Sequence, residues 1–193
     1  MHDLSLRCTA FAGPSRIASG ELRHVAMKAK QAFDAGKPVL VFEDASARLV
    51  ELPLELPAGE LLKRLAEPRP AGAAPPPAPR GPGRPKLGVV AREVTLLPRH
   101  WDWLAAQPGG ASLALRRLVD DARKVSVDGD RRRAAQETTY RFMQAMAGDE
   151  AGYEEAARAL FAGDVAGFEQ HMATWPEDVR DHAALLAADA FAH

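Results

Sequence analysis

The stretch VVAREVTLLPRHWDWLAAQPGGASLALRRLVDDARK, residues 89–124, decides the order of elements in the second half of this 193-residue chain. Its β-branched, apolar start at residues 89–97 predicts a strand. Pro98 predicts the first position of a short helix, where the missing N–H is not needed. The glycines of PGG end that helix, and a second helix follows. Its core stripe is predicted at Leu115, Leu118, Val119 and Ala122.

This order of strand, proline-started helix, glycine turn and second helix resembles the ribbon-helix-helix family of DNA-binding segments. In that family two chains pair their strands into a ribbon that enters the major groove. The resemblance therefore implies DNA binding by a homodimer that forms through residues 89–97. Ser112, a predicted helix cap, would lie where that family meets a phosphate. The predicted interface residues are Val94, Leu96, Trp101 and Trp103.

Two registers of the predicted strand stay open. In the usual register the residue before the proline points inward, which also buries Glu93 and turns the opposite face of the strand toward DNA. That face consists of Arg92, Val94 and Leu96. A buried carboxylate is costly, and apolar groups are poor readers of base edges. The opposite register buries Val90, Val94 and Leu96 but presents Glu93 to DNA, so neither register suits base recognition.

Trp101 and Trp103 lie two positions apart in the predicted helix, about 200° apart around its axis. They cannot both face the same core. We therefore predict that one is buried and that the other is available for a subunit or domain interface.

Residues 67–86, which begin EPRPAGAAPPPAPRGP, predict an extended, solvated linker because proline and glycine dominate them. Within the linker, GRPK at residues 83–86 resembles the centre of an AT-hook, whose Arg-Pro enters the narrow minor groove of A·T-rich DNA. A full hook has arginine before the glycine, where this chain has Pro82. The predicted DNA-binding residues are Arg80, Arg84, Lys86, Arg92, Arg99, Ser112 and Arg116.

Residues 1–66 predict a small β-β-α-β-β-α unit. The strands are predicted at LRCTAFAG, RIASG, PVLVFED and RLVEL, and the helices at GELRHVAMKAKQAFDAG and AGELLKRLAE. The core stripe of the first helix is predicted at Leu22, Val25, Ala26, Ala29 and Phe33.

Residues 130–193 predict a helical region with a two-copy, 15-residue repeat, separated from residues 87–125 by a loop at VSVDGD. The copies are AGDEAGYEEAARAL and AGDVAGFEQHMATW, and in each of them Gly-Asp is predicted to end one helix and cap the next. Tyr153, Phe168 and Trp175 are predicted core residues. Taken together, the elements predict an α+β fold with a flexible linker.

Charge is distributed unevenly along the chain, although its net charge is only -1. Residues 69–141 contain fourteen Lys/Arg and seven Asp/Glu, whereas residues 142–193 contain two and ten. A basic segment indicates contact with nucleic acid or a membrane surface, and an acidic tail could neutralise it. The alternative hypothesis is a protein–protein adaptor without nucleic-acid binding, in which the strand and the tryptophan helix form the interface.

Several classes of protein are not favoured by the sequence. Cys8 is the only cysteine, which excludes an intrachain disulfide framework and predicts a buried apolar role. No apolar run reaches the roughly 18 residues of a membrane span, and the first residues lack a signal-peptide pattern, so we expect a cytoplasmic protein. No phosphate loop or dinucleotide motif is present, and His171 and His182 have no metal-ligand spacing. We expect no enzyme, metal or cofactor.

Most of the chain resembles an uncharacterised bacterial family built around a domain of unknown function. The resemblance lies in GRPKLGVVAREVTLLPRHWDWLAAQPGGAS, in TTYRFMQAMAGDEAGYEEAARALFAGD, and in TAFAGPSRIASG with PVLVFEDASARLVEL. It implies a shared domain layout and brings no established activity, catalytic residue or cofactor.

Overall fold

The computed structural model describes residues 6–66 and 92–192, which form two compact units. The first unit contains residues 6–66 and 129–192, and the second contains residues 92–128. The predicted α+β class is confirmed by a three-stranded antiparallel sheet and a mostly helical C-terminal part. The linker predicted at residues 67–86 lies outside the described residues, and the predicted domain boundaries stay predictions.

The sheet of the first unit has the order β2-β1-β3. Its strands are β1 (Arg7–Ala12), β2 (Ser15–Glu21) and β3 (Val39–Glu43), and β1 pairs antiparallel with both neighbours. The predicted fourth strand, RLVEL, is wrong: it contributes only an isolated bridge between Leu49 and Phe42. Ala47, whose φ is 48°, turns the chain back toward β3. The residues that follow form only short-range hydrogen bonds with β3, and Pro53, which has no backbone N–H, cannot extend the pairing.

Alternating side chains of the sheet enter two different cores, as the two-residue period of a strand requires. Cys8, Ala10 and Val41 pack with helices α1 (Leu22–Asp34) and α2 (Ala58–Ala66). The predicted α1 stripe is buried at Leu22, Val25, Ala26 and Ala29, whereas Phe33 in the last turn is 43% exposed.

Phe11 and Phe42 project from the sheet into the second core of the first unit. That core is otherwise formed by the C-terminal helices, so residues from both ends of the chain share one interior. The sequence did not indicate this packing, because the two ends are separated by the linker and residues 92–128. The predicted core residues Phe168 and Trp175 are buried there, and Tyr153 packs against them at the margin.

The helical part contains one long helix and several short ones. Its helices are α3 (Pro98–Ala105), α4 (Gly110–Ala147), α5 (Tyr153–Ala162), α6 (Val165–Met172) and α7 (Glu177–Ala187), followed by a 3-10 turn at Ala188–Ala190. The loop predicted at VSVDGD is wrong, since α4 runs through it without a break. No proline interrupts this stretch, and one glycine costs a helix only about 1 kcal/mol. None of the helices in the described ranges could cross a bilayer.

The predicted repeat gives two similar helices with different starts. In the second copy Asp164 caps α6, because its side chain accepts a hydrogen bond of 3.0 Å from the Gly167 N–H. In the first copy α5 instead follows Gly152, whose φ is 81° and which offers no side-chain cap, so the predicted capping role of Asp149 is wrong. Trp175 connects the copies by donating from Nε1 to the carbonyl of Ala151 at 2.9 Å.

Candidate nucleic-acid interface

The predicted DNA-binding residues divide into two groups. Arg80, Arg84 and Lys86 lie outside the described residues. The others, Arg92, Arg99, Ser112 and Arg116, are all exposed in the second unit.

Residues 92–97 lead into α3 without forming a strand, so the predicted strand is wrong for the part of it that the structure describes. A strand exists only when a neighbour accepts and donates its backbone hydrogen bonds, and no strand within residues 6–66 and 92–192 lies beside these residues. Val94 is 55% exposed and Leu96 is half-buried. Glu93 is exposed here, and its orientation in a paired ribbon stays a prediction.

Helix α3 begins at Pro98, as predicted, and exposes both of its tryptophans. Trp101 is 41% and Trp103 is 52% exposed, so the prediction that one of them is buried is wrong. Leu104 takes the inward position of this helix instead and is 3% exposed. Two indole rings are therefore available on one short helix.

The turn between α3 and α4 depends on glycine. Gly109 and Gly110 have φ values of 84° and 75°, and a Cβ on Gly109 would lie 2.3 Å from Cδ2 of Leu113. Because this pair starts α4 at Gly110, Ser112 lies inside the first turn, and the predicted cap is wrong. Its carbonyl instead accepts a hydrogen bond of 3.1 Å from Nε of Arg116.

The second unit buries few of its apolar side chains. Leu104 and Ala114 are its buried hydrophobic residues within the described range 92–128. The predicted core stripe of the second helix is wrong at Leu118, Val119 and Ala122, which are exposed, and Leu115 is only half-buried. The exposed large hydrophobic residues of the unit are Val94, Leu97, Trp101, Trp103, Leu118, Val119, Val125 and Val127.

A shallow groove of about 130 Å³ lies between α3 and the start of α4. Trp103 and Leu118 give it apolar walls, and Arg117 adds a cation. Gln107 also lines the groove, and its Nε2 donates to the Trp103 carbonyl at 3.2 Å. The groove can accept a small apolar or aromatic side chain with a nearby negative group.

The basic residues of α4 are mostly exposed but partly paired within the helix. Lys124 lies 3.4 Å from Asp121, and Arg133 pairs with Asp130. Such exposed pairs contribute at most about 1 kcal/mol and leave the cations accessible to a phosphate. Residues 92–128 contain six Lys/Arg and five Asp/Glu, so most of the basic excess lies in the linker and at residues 131–133.

Sequence reasoning missed a buried histidine in the first unit. His182 is 3% exposed, and its ring centroid lies 4.7 Å from that of Phe142 and 5.5 Å from that of Phe11. Its Nδ1 has no hydrogen-bond partner among the described residues. Burial lowers the pKa of His182, although the Asp44 carboxylate acts in the opposite direction. The spacing of His182 from buried Val179 and Ala183, at i-3 and i+1, could have indicated an inward position.

Thr139 is also buried, and its hydroxyl has no hydrogen-bond partner among the described residues, whereas Thr9 has partners on the neighbouring strand and at the end of β3. Thr9 donates to Asp44 at 2.8 Å and lies 3.1 Å from the Ser19 hydroxyl, its cross-strand neighbour. Burial raises the pKa of the Cys8 thiol to about 12, in line with the predicted apolar role. Within residues 6–66 and 92–192, no group of three His, Cys, Asp or Glu residues could hold a metal ion.

Comparison with known proteins places the chain in a family but not near any characterised protein. A family model described as "Uncharacterized protein conserved in bacteria (DUF2239)" matches residues 7–187. No curated protein and no solved structure matches the chain.

Proposed function

The chain belongs to the uncharacterised bacterial family DUF2239, and from its surface we propose that it is a cytoplasmic, DNA-binding regulatory protein that acts as a homodimer. One observation carries this proposal: residues 92–128 expose apolar side chains and arginines together. A monomer gains nothing from exposed tryptophan, leucine and valine, whereas a dimer would cover them and leave the charges outside. No catalytic activity and no cofactor are part of this function.

The dimer contact is proposed to include the segment 92–97 and helix α3. Val94 and Leu97 are about half exposed, and the backbone before Pro98 has no neighbouring strand among the described residues. A second copy of the segment would provide the missing backbone partners and cover Trp101 or Trp103. Both copies would use the same patch, as a two-fold interface requires.

The DNA contact is proposed to rely on phosphates rather than on base edges. Arg92, Arg99 and Arg116 are exposed on the second unit, and the linker adds Arg80, Arg84 and Lys86. Neutralising phosphates with such residues gives an affinity that tolerates sequence changes and falls steeply with salt. Arg84 would favour A·T-rich DNA, whose narrow minor groove attracts arginine.

Fluorescence anisotropy with A·T-rich and mixed duplexes at two salt concentrations tests the DNA contact. We expect binding that weakens with salt, a smaller salt dependence for Arg116→Ala, and a lower preference for A·T-rich DNA for Arg84→Ala. Arg158→Ala is the charge-matched control, because Arg158 is an exposed arginine of the first unit paired with Glu155 at 3.0 Å. An absence of binding at low salt would exclude a DNA-binding role.

Light scattering of the purified full chain tests the dimer. We expect twice the mass of one chain at micromolar concentration. A strict monomer under these conditions would exclude a ribbon formed by residues 89–97 and would remove the basis for DNA binding of this kind.

A second candidate function is a protein–protein adaptor, which is supported by the groove beside Trp103 and Arg117. The groove would take an apolar side chain of the partner, with an acidic residue next to it. A protein captured by the immobilised wild-type chain and lost with Trp103→Ala would support this role. Recovery of nothing specific would count against the adaptor.

A further inference from the structure

Helix α4 carries an uncharged stripe along a part that makes few contacts. At the roughly 100° step per residue of an α-helix, the stripe occupies about a third of the circumference, and every charged residue of positions 110–131 lies outside it. We call this surface the α4 stripe. Its residues are Leu115, Leu118, Val119, Ala122, Val125 and Ser126.

Four residues of the α4 stripe are exposed in the single chain, whereas Leu115 and Ser126 are half-buried. Val119 is 54% exposed and Val125 is 88% exposed, and positions 116–125 are exposed without exception. A surface helix normally turns such a stripe toward a core. Helices also take most of their stability from packing an apolar face rather than from intrinsic propensity. The exposed apolar residues of the stripe, which are Leu118, Val119, Ala122 and Val125, therefore lack the burial that their spacing favours.

The spacing of the stripe follows a heptad. Leu115 and Ala122 occupy successive a positions, and Leu118 and Val125 the intervening d positions. A repeat of seven residues keeps one face toward a partner helix and winds two helices around each other with a left-handed twist. The small side chain of Ala122 would allow the two backbones to approach closely.

We propose that the α4 stripe pairs with the same stripe of a second copy, with the two helices parallel and in register. This inference rests on the homodimer of the proposed function and names the surface through which two copies meet. The contact is isologous, because each copy presents the same residues to the other.

The flanking charges favour this parallel arrangement over an antiparallel one. Asp121 and Asp128 occupy g positions beside the stripe, and an antiparallel pair would bring g positions together and oppose their like charges. In a parallel pair each g position meets the e position five residues later in the other copy. By heptad count, Asp121 then meets Ser126 and Asp128 meets Arg133, so no like charges are opposed.

A pair of matched cysteine variants tests the stripe. Val125→Cys places a thiol at a d position, which faces its own counterpart in a parallel, in-register pair. Val127→Cys places the same group about 200° around the same helix, away from the stripe. The native Cys8 is fully buried and does not interfere. After mild oxidation with glutathione disulfide, we expect a disulfide-linked dimer on a non-reducing gel for Val125→Cys only.

A charge variant gives a second measurement for the case in which the thiols do not react. Val125→Asp opposes two carboxylates across the stripe, and we expect the dimer Kd to rise at least tenfold in sedimentation equilibrium. Val127→Asp should leave that Kd unchanged, and circular dichroism should show the same helix content for both variants. Equal cross-linking of both cysteine variants would overturn the proposal. It would also be overturned if Val125→Cys does not cross-link and the Kd of Val125→Asp is unchanged.

The outcomes also separate this inference from the DNA-binding role. A chain that cross-links through Val125→Cys but binds no duplex at low salt refutes DNA binding and leaves the stripe contact standing. If the chain binds DNA as a dimer but fails both stripe tests, the proposed function stands and the dimer contact lies elsewhere.

Discussion

Mild acid is expected to destabilise the first unit through His182. The imidazole is 3% exposed, lies edge-on to Phe11 and Phe142, and leaves Nδ1 without a hydrogen bond among the described residues. Burial lowers the pKa of His182 from its usual value of 6.5. Of the nearby charges, the Asp44 carboxylate raises this pKa and the Arg16 guanidinium lowers it. The folded chain therefore holds His182 neutral at a pH where the unfolded chain protonates it.

The sign and size of the effect follow from this difference. Between the two pKa values only the unfolded chain binds the proton, so the stability contributed by neutral His182 is complete above about pH 6.5 and is lost as the pH falls. The free energy of unfolding then decreases by up to about 1.4 kcal/mol per pH unit. Because the unfolded chain begins to bind the proton near pH 6.5, lowering the pH from 7.5 to 5.5 should reduce the free energy of unfolding by no more than about 1.4 kcal/mol.

Urea unfolding of the full chain, followed by circular dichroism at both pH values, measures this loss. His182→Leu should remove it, and at pH 7.5 the variant should be about as stable as the wild type, because it replaces a ring whose buried Nδ1 has no hydrogen-bond partner among the described residues. His24→Gln changes an exposed histidine on α1 and should retain the full loss. Equal pH dependence in His182→Leu and the wild type would refute the role of His182.

Three further predictions concern the same fold and are measured by the same denaturation assay. Asp164→Ala should cost about 1 kcal/mol by removing the cap of α6, whereas Asp149→Ala, at the equivalent position of the repeat, should cost less than about 0.5 kcal/mol; equal costs would contradict the assigned cap. Gly152→Ala should lower the free energy of unfolding more than Gly163→Ala. Both glycines have positive φ, but only a Cβ at position 152 would lie 2.6 Å from a backbone oxygen, that of His171. The reverse order of stabilities would contradict this close contact. Phe142→Ala should lower the free energy of unfolding by about 3–5 kcal/mol, because the Phe142 ring lies 5.2 Å from that of Phe42 and packs the helices against the sheet. A decrease below about 1 kcal/mol would contradict this role.

Local sequence patterns were sufficient to predict the elements that are stabilised by residues close to them in the sequence. The stripe of α1, the proline start of α3 and the burial of Phe168 and Trp175 all follow from helical periodicity or backbone restriction. The sequence also indicated the α+β class, because strands and helices in the first 66 residues have different periods.

The errors occurred where another part of the chain decides the outcome. RLVEL has the composition of a strand, but a left-handed turn at Ala47 and the following Pro53 reduce it to one bridge. VSVDGD has the composition of a loop, yet α4 continues through it because neither proline nor a competing contact stops the helix. Composition cannot distinguish these cases, since the deciding interactions are specific to the folded chain.

At the candidate site, too, some features were predicted from the sequence and others were not. Sequence identified the arginines and tryptophans of residues 92–128 and could not predict that both tryptophans are exposed, because burial depends on which partners a short helix finds. His182 was missed for a related reason: Phe11 and Phe142, which enclose it, lie 171 and 40 positions away in the sequence.

The two units differ in how much of their apolar surface is buried among the described residues. The first unit has two cores on opposite faces of one sheet, and one of them buries Phe11, Phe42, Phe142, Phe168 and Trp175. The second unit buries Leu104 and Ala114 and leaves eight large hydrophobic residues exposed within residues 92–128. Natural monomers rarely keep such a surface, because it promotes aggregation unless a specific partner covers it. We therefore propose a partner for residues 92–128, and the heptad spacing of the α4 stripe makes a second copy of the chain the proposed partner.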